Sequence, residues 1–238
     1  MKQVIAMHGW SGDSQSWRFW AEHFQDNGWT WQSIERGYGH ITPYTPTWRK
    51  LSSVDCYQRR VVIAHSLGSH LIETELLQQA TDVILLASFS RFIPNGIESR
   101  LLKTALTSMQ KLLGTAEEKT MLNNFLKKAC QPESMNAIAA GPITHGLSYE
   151  GRKKLEADLE LLIQTKNLPK GLSTKTRVLV VQGEEDSIIL PSTRNCLIQD
   201  LNHHLDQAPT HWLIPKTGHL LMVPELVERV HNWLNSDP

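Results

Sequence analysis

Four short apolar runs set the terms on which this chain can fold: QVIAM at 3–7, VVIA at 61–64, VILLA at 83–87 and RVLVV at 177–181. Each is too short for a helix and rich in branched residues, the pattern of a strand buried on both faces. Helical periods lie between them. Residues 14–27 put Trp17, Trp20, Ala21 and Phe24 on one face and close at Gly28, and 69–79 read as a second helix. Residues 31–34 read as another strand, and 37–46, with Gly37, Gly39 and two Thr-Pro pairs, as a loop. Such alternation implies a mostly parallel α/β sheet with right-handed crossovers and helices on both faces.

The alternation then lapses. From 97 to 166 only helical periods occur, over 97–113, 117–129 and 149–166. It resumes with the strand at 177–181, a helix over 191–201, a strand at 211–214 and a last helix over 224–234. The expected organisation is an α/β core of residues 1–90 and 171–238, with a helical cap at 91–170 inserted in it. Such a cap lies over the carboxyl ends of the strands, where open α/β sheets bind ligands.

Chemistry concentrates at those ends. In Ala64-His65-Ser66-Leu67-Gly68, Ser66 falls between a strand and a helix. A tight turn there displays the hydroxyl and aims backbone N–H groups at any oxyanion that forms beside it. The nucleophile-elbow pattern G-x-S-x-G wants small residues on both sides of the serine. Gly68 meets that demand and Ala64 exceeds it by one methyl group. From this segment alone, a helix-capping serine fits equally well.

A serine hydroxyl needs a base, and the base an orienting acid. Asp186 follows the strand at 177–181, with Glu184 and Glu185 beside it as competitors, and His219 follows the strand at 211–214. All three candidates stand just past a strand, in the order Ser, Asp, His. After the first strand, His8-Gly9-Trp10-Ser11-Gly12 lets the Trp10 N–H face the site opposite that of Leu67, as a second oxyanion donor. Neither glycine-rich phosphate-binding pattern occurs. His203 and His204 are adjacent on a helix and diverge, which favours a surface role over metal ligation.

Taken together, His8-Gly9-Trp10, Ala64-His65-Ser66-Leu67-Gly68, Gly183-Glu184-Glu185-Asp186 and Gly218-His219 resemble the motifs of the α/β-hydrolase-fold serine hydrolases, over nearly the whole chain. The resemblance implies Ser66 as nucleophile, His219 as general base and acid, Asp186 as orienting acid, and the Trp10 and Leu67 amides as oxyanion hole. It implies no metal and no organic cofactor. Within that family, the opening His-Gly-Trp, the short length and the compact cap resemble the pimeloyl-acyl-carrier-protein methyl ester esterases of biotin synthesis. That implies a small acyl ester substrate carried on an acidic acyl carrier protein. Residues 91–170 hold twelve Lys+Arg against eight Asp+Glu, and Lys127-Lys128 and Arg152-Lys153-Lys154 either meet such a carrier or are plain solvated faces. A thioesterase or carbon–carbon bond hydrolase with the same triad, a non-catalytic small-ligand binder, and a tryptophan-rich interaction scaffold are the alternatives.

Composition narrows the partners. Lys+Arg and Asp+Glu are both 24, which argues against nucleic acid. Cys56, Cys130 and Cys196 are scattered, with neither a disulfide framework nor a Cys-x-x-Cys metal site. The longest strongly apolar run, 83–87, is far short of the roughly 20 residues that span a bilayer. No apolar stretch of signal-peptide length follows Lys2. The expectation is a cytoplasmic protein that does not enter the membrane.

Overall fold

Alternate residues of the central strands feed two opposite apolar layers, and this decides where everything else packs. The computed structural model describes residues 1–49, 58–96, 98–138 and 140–236; Cys56 lies outside them. The chain runs β1 (Lys2–Met7), a 3₁₀ turn (Ser14–Trp17), α1 (Arg18–Asp26), β2 (Thr30–Ile34), β3 (Arg59–His65), α2 (Gly68–Leu71), α3 (Thr74–Gln78) and β4 (Asp82–Leu86). Then come α4 (Glu98–Leu112), α5 (Glu118–Cys130), a short 3₁₀ turn (Met135–Ala137), α6 (Pro142–His145) and α7 (Tyr149–Gln164). The chain ends with β5 (Arg177–Gly183), α8 (Pro191–His204), β6 (Thr210–Ile214) and α9 (Leu226–Asn235). The sheet order is β2-β1-β3-β4-β5-β6, and every neighbouring pair is parallel.

Val4 and Ala6 of β1, Val61 and Ile63 of β3, and Leu179 and Val181 of β5 face one layer, covered by α1 and α9 through Phe24, Val227, Val230 and Leu234. Ile5, Met7, Val62, Ala64, Val178 and Val180 face the other, covered by α3 and α8 through Leu76, Leu77, Leu197 and Leu201. Period-two alternation on a sheet buried on both sides gives this division. A third cluster sits above the carboxyl ends of the strands and joins Trp10, Leu67 and Phe89 to Leu106, Met121, Leu155 and Leu159 of the inserted helices. Among the described residues, no strand lies between 91 and 170. Trp17 is buried and Trp20 packs against the first layer, so both serve the core.

Two expectations need correction. The helix expected over 69–79 is broken, because Ile72 and Glu73 take extended backbone (ψ 137° at each) between α2 and α3. The break turns the chain so that Leu76 and Leu77 reach the second layer, and tertiary packing overrides helical period. The helix expected from residue 14 begins at Arg18, after a 3₁₀ turn whose Gln15 N–H is capped by the Asp13 carboxylate at 3.0 Å. Strands also extend past their apolar runs, since neighbours supply the hydrogen bonds that local sequence does not announce. At the far end from the cap, buried Asp82 takes Arg59 and Arg177, each at 2.8 Å, and so pins β3, β4 and β5 together. No helix of the described residues is long and apolar enough to cross a membrane.

Candidate active site

The chain leaves β3 through a strained turn. Ser66 has φ 53°, a left-handed conformation that non-glycine residues seldom adopt. Its N–H donates to the Leu86 carbonyl at 2.8 Å, and its own carbonyl accepts the Ser88 hydroxyl at 2.9 Å. Gly68 lets α2 start against β1: a Cβ there would lie 2.6 Å from the His8 carbonyl oxygen and 2.7 Å from that of Met7. At the other flank the methyl of Ala64 is absorbed into the second layer.

Ser66 Oγ lies 3.1 Å from His219 Nε2, and His219 Nδ1 lies 2.8 Å from Asp186 Oδ2. All three residues are buried. The other Asp186 oxygen accepts the N–H groups of Ile188 and Ile189, at 2.8 and 2.9 Å, so the carboxylate is held on both sides. Glu184 and Glu185 are exposed, and of the three acids it is Asp186 that meets His219. Burial alone raises the Asp186 pKa; the His219 ring and the two amides outweigh it, and the net shift is downward.

Sequence reasoning passed over His65, one residue before Ser66. Its Nε2–H donates to the His219 carbonyl at 2.9 Å. Burial, reinforced by the neighbouring His219, lowers its pKa to about 4, so the ring is neutral near pH 7. Gly9 packs against the same ring: a Cβ there would be 2.9 Å from His65 Nδ1. The signal lay inside the motif, in a histidine at its second position.

Leu67 follows Ser66 in the chain, Trp10 stands on the loop after β1 whose Gly9 packs against Ser66, and neither amide donates to any group among the described residues. Trp10 is anchored from above. Its indole N–H donates to the Leu155 carbonyl of α7 at 2.8 Å, and its ring meets Phe125 of α5 edge-on at 5.0 Å. A second tie runs beside it. Asp158 of α7 takes a bidentate pair from Arg36, at 2.6 Å on each arm, and the Tyr38 hydroxyl at 2.6 Å. The Arg36 N–H donates in turn to His8 Nε2 at 3.2 Å, leaving Nδ1–H of His8 to the Gly9 carbonyl at 2.9 Å. Asp158 shares a helix face with Leu155 and Leu162; a lone acid on an apolar face was the legible hint.

Above Ser66 opens a cavity of about 930 Å³, lined by the Trp10 and His219 loops and by α4, α5 and α7. Among the described residues, no group of three metal-ligating side chains converges. His203 and His204 instead bond the carbonyls of Gln199 and Leu172. In the basic clusters, Arg152 pairs with Glu118, Lys153 with Glu150, and Lys154 donates to the Arg36 carbonyl.

No protein-family model matches the chain, and neither does any curated protein sequence. Solved structures do. A bromoperoxidase from Bacillus anthracis aligns with TM-score 0.68 at 13% identity, over 99% of this chain and 92% of its own. An esterase from Exiguobacterium antarcticum aligns with TM-score 0.65 at 12% identity, over 99% and 92%. MenH from S. aureus aligns with TM-score 0.61 at 14% identity, over 98% and 93%. These likenesses, end to end, identify the fold as that of the α/β hydrolases. At such identity they speak of the fold alone.

Proposed function

We propose that this α/β-hydrolase-fold chain is a serine hydrolase that cleaves a carboxylic ester through an acyl-enzyme. The observation that carries the reading is the line Ser66–His219–Asp186, at 3.1 and 2.8 Å, with the amides of Trp10 and Leu67 left without a partner among the described residues. Ser66 Oγ attacks the carbonyl carbon as His219 Nε2 takes its proton, and Asp186 stabilises the imidazolium. The amides of Trp10 and Leu67 hold the oxyanion; one such donor is worth roughly 10²–10³ in rate. The intermediate collapses as Nε2 returns the proton to the leaving oxygen, and the alcohol departs. Water then gives its proton to Nε2 and attacks the acyl-serine, and Ser66 is regenerated with release of the acid. The chemistry asks for no cofactor. One neighbour in structure is named an esterase, which accords with this reading.

The test is Ser66→Ala. A fluorophosphonate probe should label the wild-type protein at Ser66 and leave the variant unlabelled, with p-nitrophenyl butyrate turnover lost and the circular dichroism spectrum kept. Normal turnover by the variant would sink the assignment.

The specific substrate we propose within this class is a pimeloyl-carrier methyl ester. The His8-Gly9-Trp10 opening supports it, and of the two basic clusters Lys127-Lys128 is the one left for an acidic carrier, since Arg152-Lys153-Lys154 is engaged locally. Mass spectrometry of the carrier after incubation should detect the free acid; simple esters cleaved with no conversion of the carrier ester would remove it. Thiols at Cys130 and Cys196, both unpaired, accord with a cytoplasmic location.

A further inference from the structure

The cavity above Ser66 is far from uniform. On α4 the residues that line it include Leu102, Leu106, Met109 and Leu112, and on α5 Met121 and Phe125. Spacings of three and four put each set on one helix face, so two largely apolar stripes line the chamber, the α5 one interleaved with exposed Thr120 and Asn124. Leu102, Met109, Leu112 and Phe125 remain half-buried although they belong to the apolar cluster of the cap. Among the described residues, Asp13, Glu117 and Lys128 are the only acidic or basic side chains besides histidines that line the cavity. Asp13 belongs to the Trp10 loop, while Glu117 and Lys128 stand one turn before Met121 and one turn after Phe125, on the α5 face that lines the chamber.

At about 930 Å³ the space stands at the upper end of the roughly 300–1,000 Å³ typical of ligand pockets. An acetyl group would leave most of that wall wet. The stripe from Leu102 to Leu112 rises roughly 15 Å along the helix axis. A zigzag of C–C bonds of about 1.5 Å advances ~1.25 Å per carbon, so about twelve carbons cover that length.

From this we infer that the chamber is an acyl site for an unbranched chain of about eight to twelve carbons, whose carbonyl sits on Ser66 and whose hydrocarbon lies along the α4 and α5 stripes. The inference rests on Ser66 being the nucleophile, and it competes with the carrier-borne pimeloyl ester, whose far acyl end would have to leave the chamber. The order of events assigns the chamber to the acyl side. The alcohol must leave and water must enter before the acid is released, so the first leaving group needs the open route. The part that stays through both steps suits the walled one.

The experiment is a series of p-nitrophenyl esters from acetate to dodecanoate, below their micelle concentrations, with the leaving group held constant. kcat/KM should climb roughly two- to four-fold per methylene up to about eight carbons, the upper figure corresponding to about 0.8 kcal/mol per CH₂. Met109→Glu should lower the decanoate-to-acetate ratio of kcat/KM by ten-fold or more, and Met109→Trp, which fills the chamber without charge, should shift the optimum to shorter chains. A flat or falling series in an enzyme that labels at Ser66 overturns the acyl site and leaves the serine reading intact. If no ester turns over and nothing labels, the serine reading falls instead. Binding of octanoate to dodecanoate, followed by tryptophan fluorescence, then decides the chamber: affinity rising with length sustains it, and none overturns it.

Discussion

His65 donates its Nε2–H to the backbone carbonyl of His219 at 2.9 Å, so the residue before Ser66 in the chain braces the residue that meets Ser66 in space. The bond spans 154 positions of sequence. It closes a small circuit: β3 delivers Ser66 and His65 together, and His65 holds the loop after β6 in reach.

Replacing His65 with Leu removes that brace and leaves the triad side chains in place. One hydrogen bond contributes about 1–1.5 kcal/mol, so kcat should fall roughly ten-fold with KM little changed. Steady-state kinetics on p-nitrophenyl butyrate check it, and an unchanged kcat would show that His219 holds its place without help.

Asp158→Ala strips Arg36 and Tyr38 of their shared acceptor. Breaking an ion pair with a buried partner costs about 3–5 kcal/mol, and Arg36 is 34% exposed, which argues for the low end. At about 3 kcal/mol a chain of this size should lose on the order of 10 °C in Tm. Thermal denaturation measures it; a drop of a degree or two would mean that solvent already carries the arginine.

The elbow predicts an asymmetry between its two small residues. Gly68→Ala puts a methyl 2.6 Å from the His8 carbonyl oxygen and must displace the turn. A shift of about 1 Å at the nucleophile can cost 10²-fold in rate, so ester hydrolysis should drop by about that much. Ala64→Gly should keep activity within a few-fold and lose about 1 kcal/mol, through backbone entropy and one buried methyl. Equal effects of the two changes would refute the contrast.

Stability should fall with acid before the carboxylates titrate. His65 and His70 are half-buried, and desolvation lowers the pKa of each to about 4, against about 6.5 when unfolded. The unfolded chain therefore binds more protons between these values. Their contribution is complete above pH 6.5, drains away as pH falls, and is gone near pH 4. The loss is roughly 3 kcal/mol per histidine if the shifts hold in full. Urea unfolding at pH 7.5, 6, 5 and 4.5 should give a steadily falling midpoint, with part of the slope removed in His70→Phe. A flat profile would mean that these rings are already charged in the folded state.

Much of the core was readable because buried parallel strands announce themselves by composition. The runs at 3–7, 61–64, 83–87 and 177–181 all gave rise to strands, since a strand with apolar layers on both sides of the sheet needs apolar residues on both of its faces. The placement of Ser66, Asp186 and His219 past strand ends followed from the same pattern, because topology alone brings those ends to one rim. The break at Ile72-Glu73 carried no such mark. Nor did the short α6, whose four residues are too few to show a period.

What the sequence determined by itself was the sheet, its helical insertion and the candidates at its rim, since hydrophobic period and turn chemistry are local properties. Only the tertiary structure decided which acid faces His219, because Asp186, Glu184 and Glu185 are alike until a fold buries one and exposes two. It alone decided that His65 braces His219, that Asp158 ties α7 to the Arg36 loop, and that two helical stripes wall an open chamber above Ser66. Each of these depends on distances between residues far apart in the chain, which packing sets and no local pattern encodes.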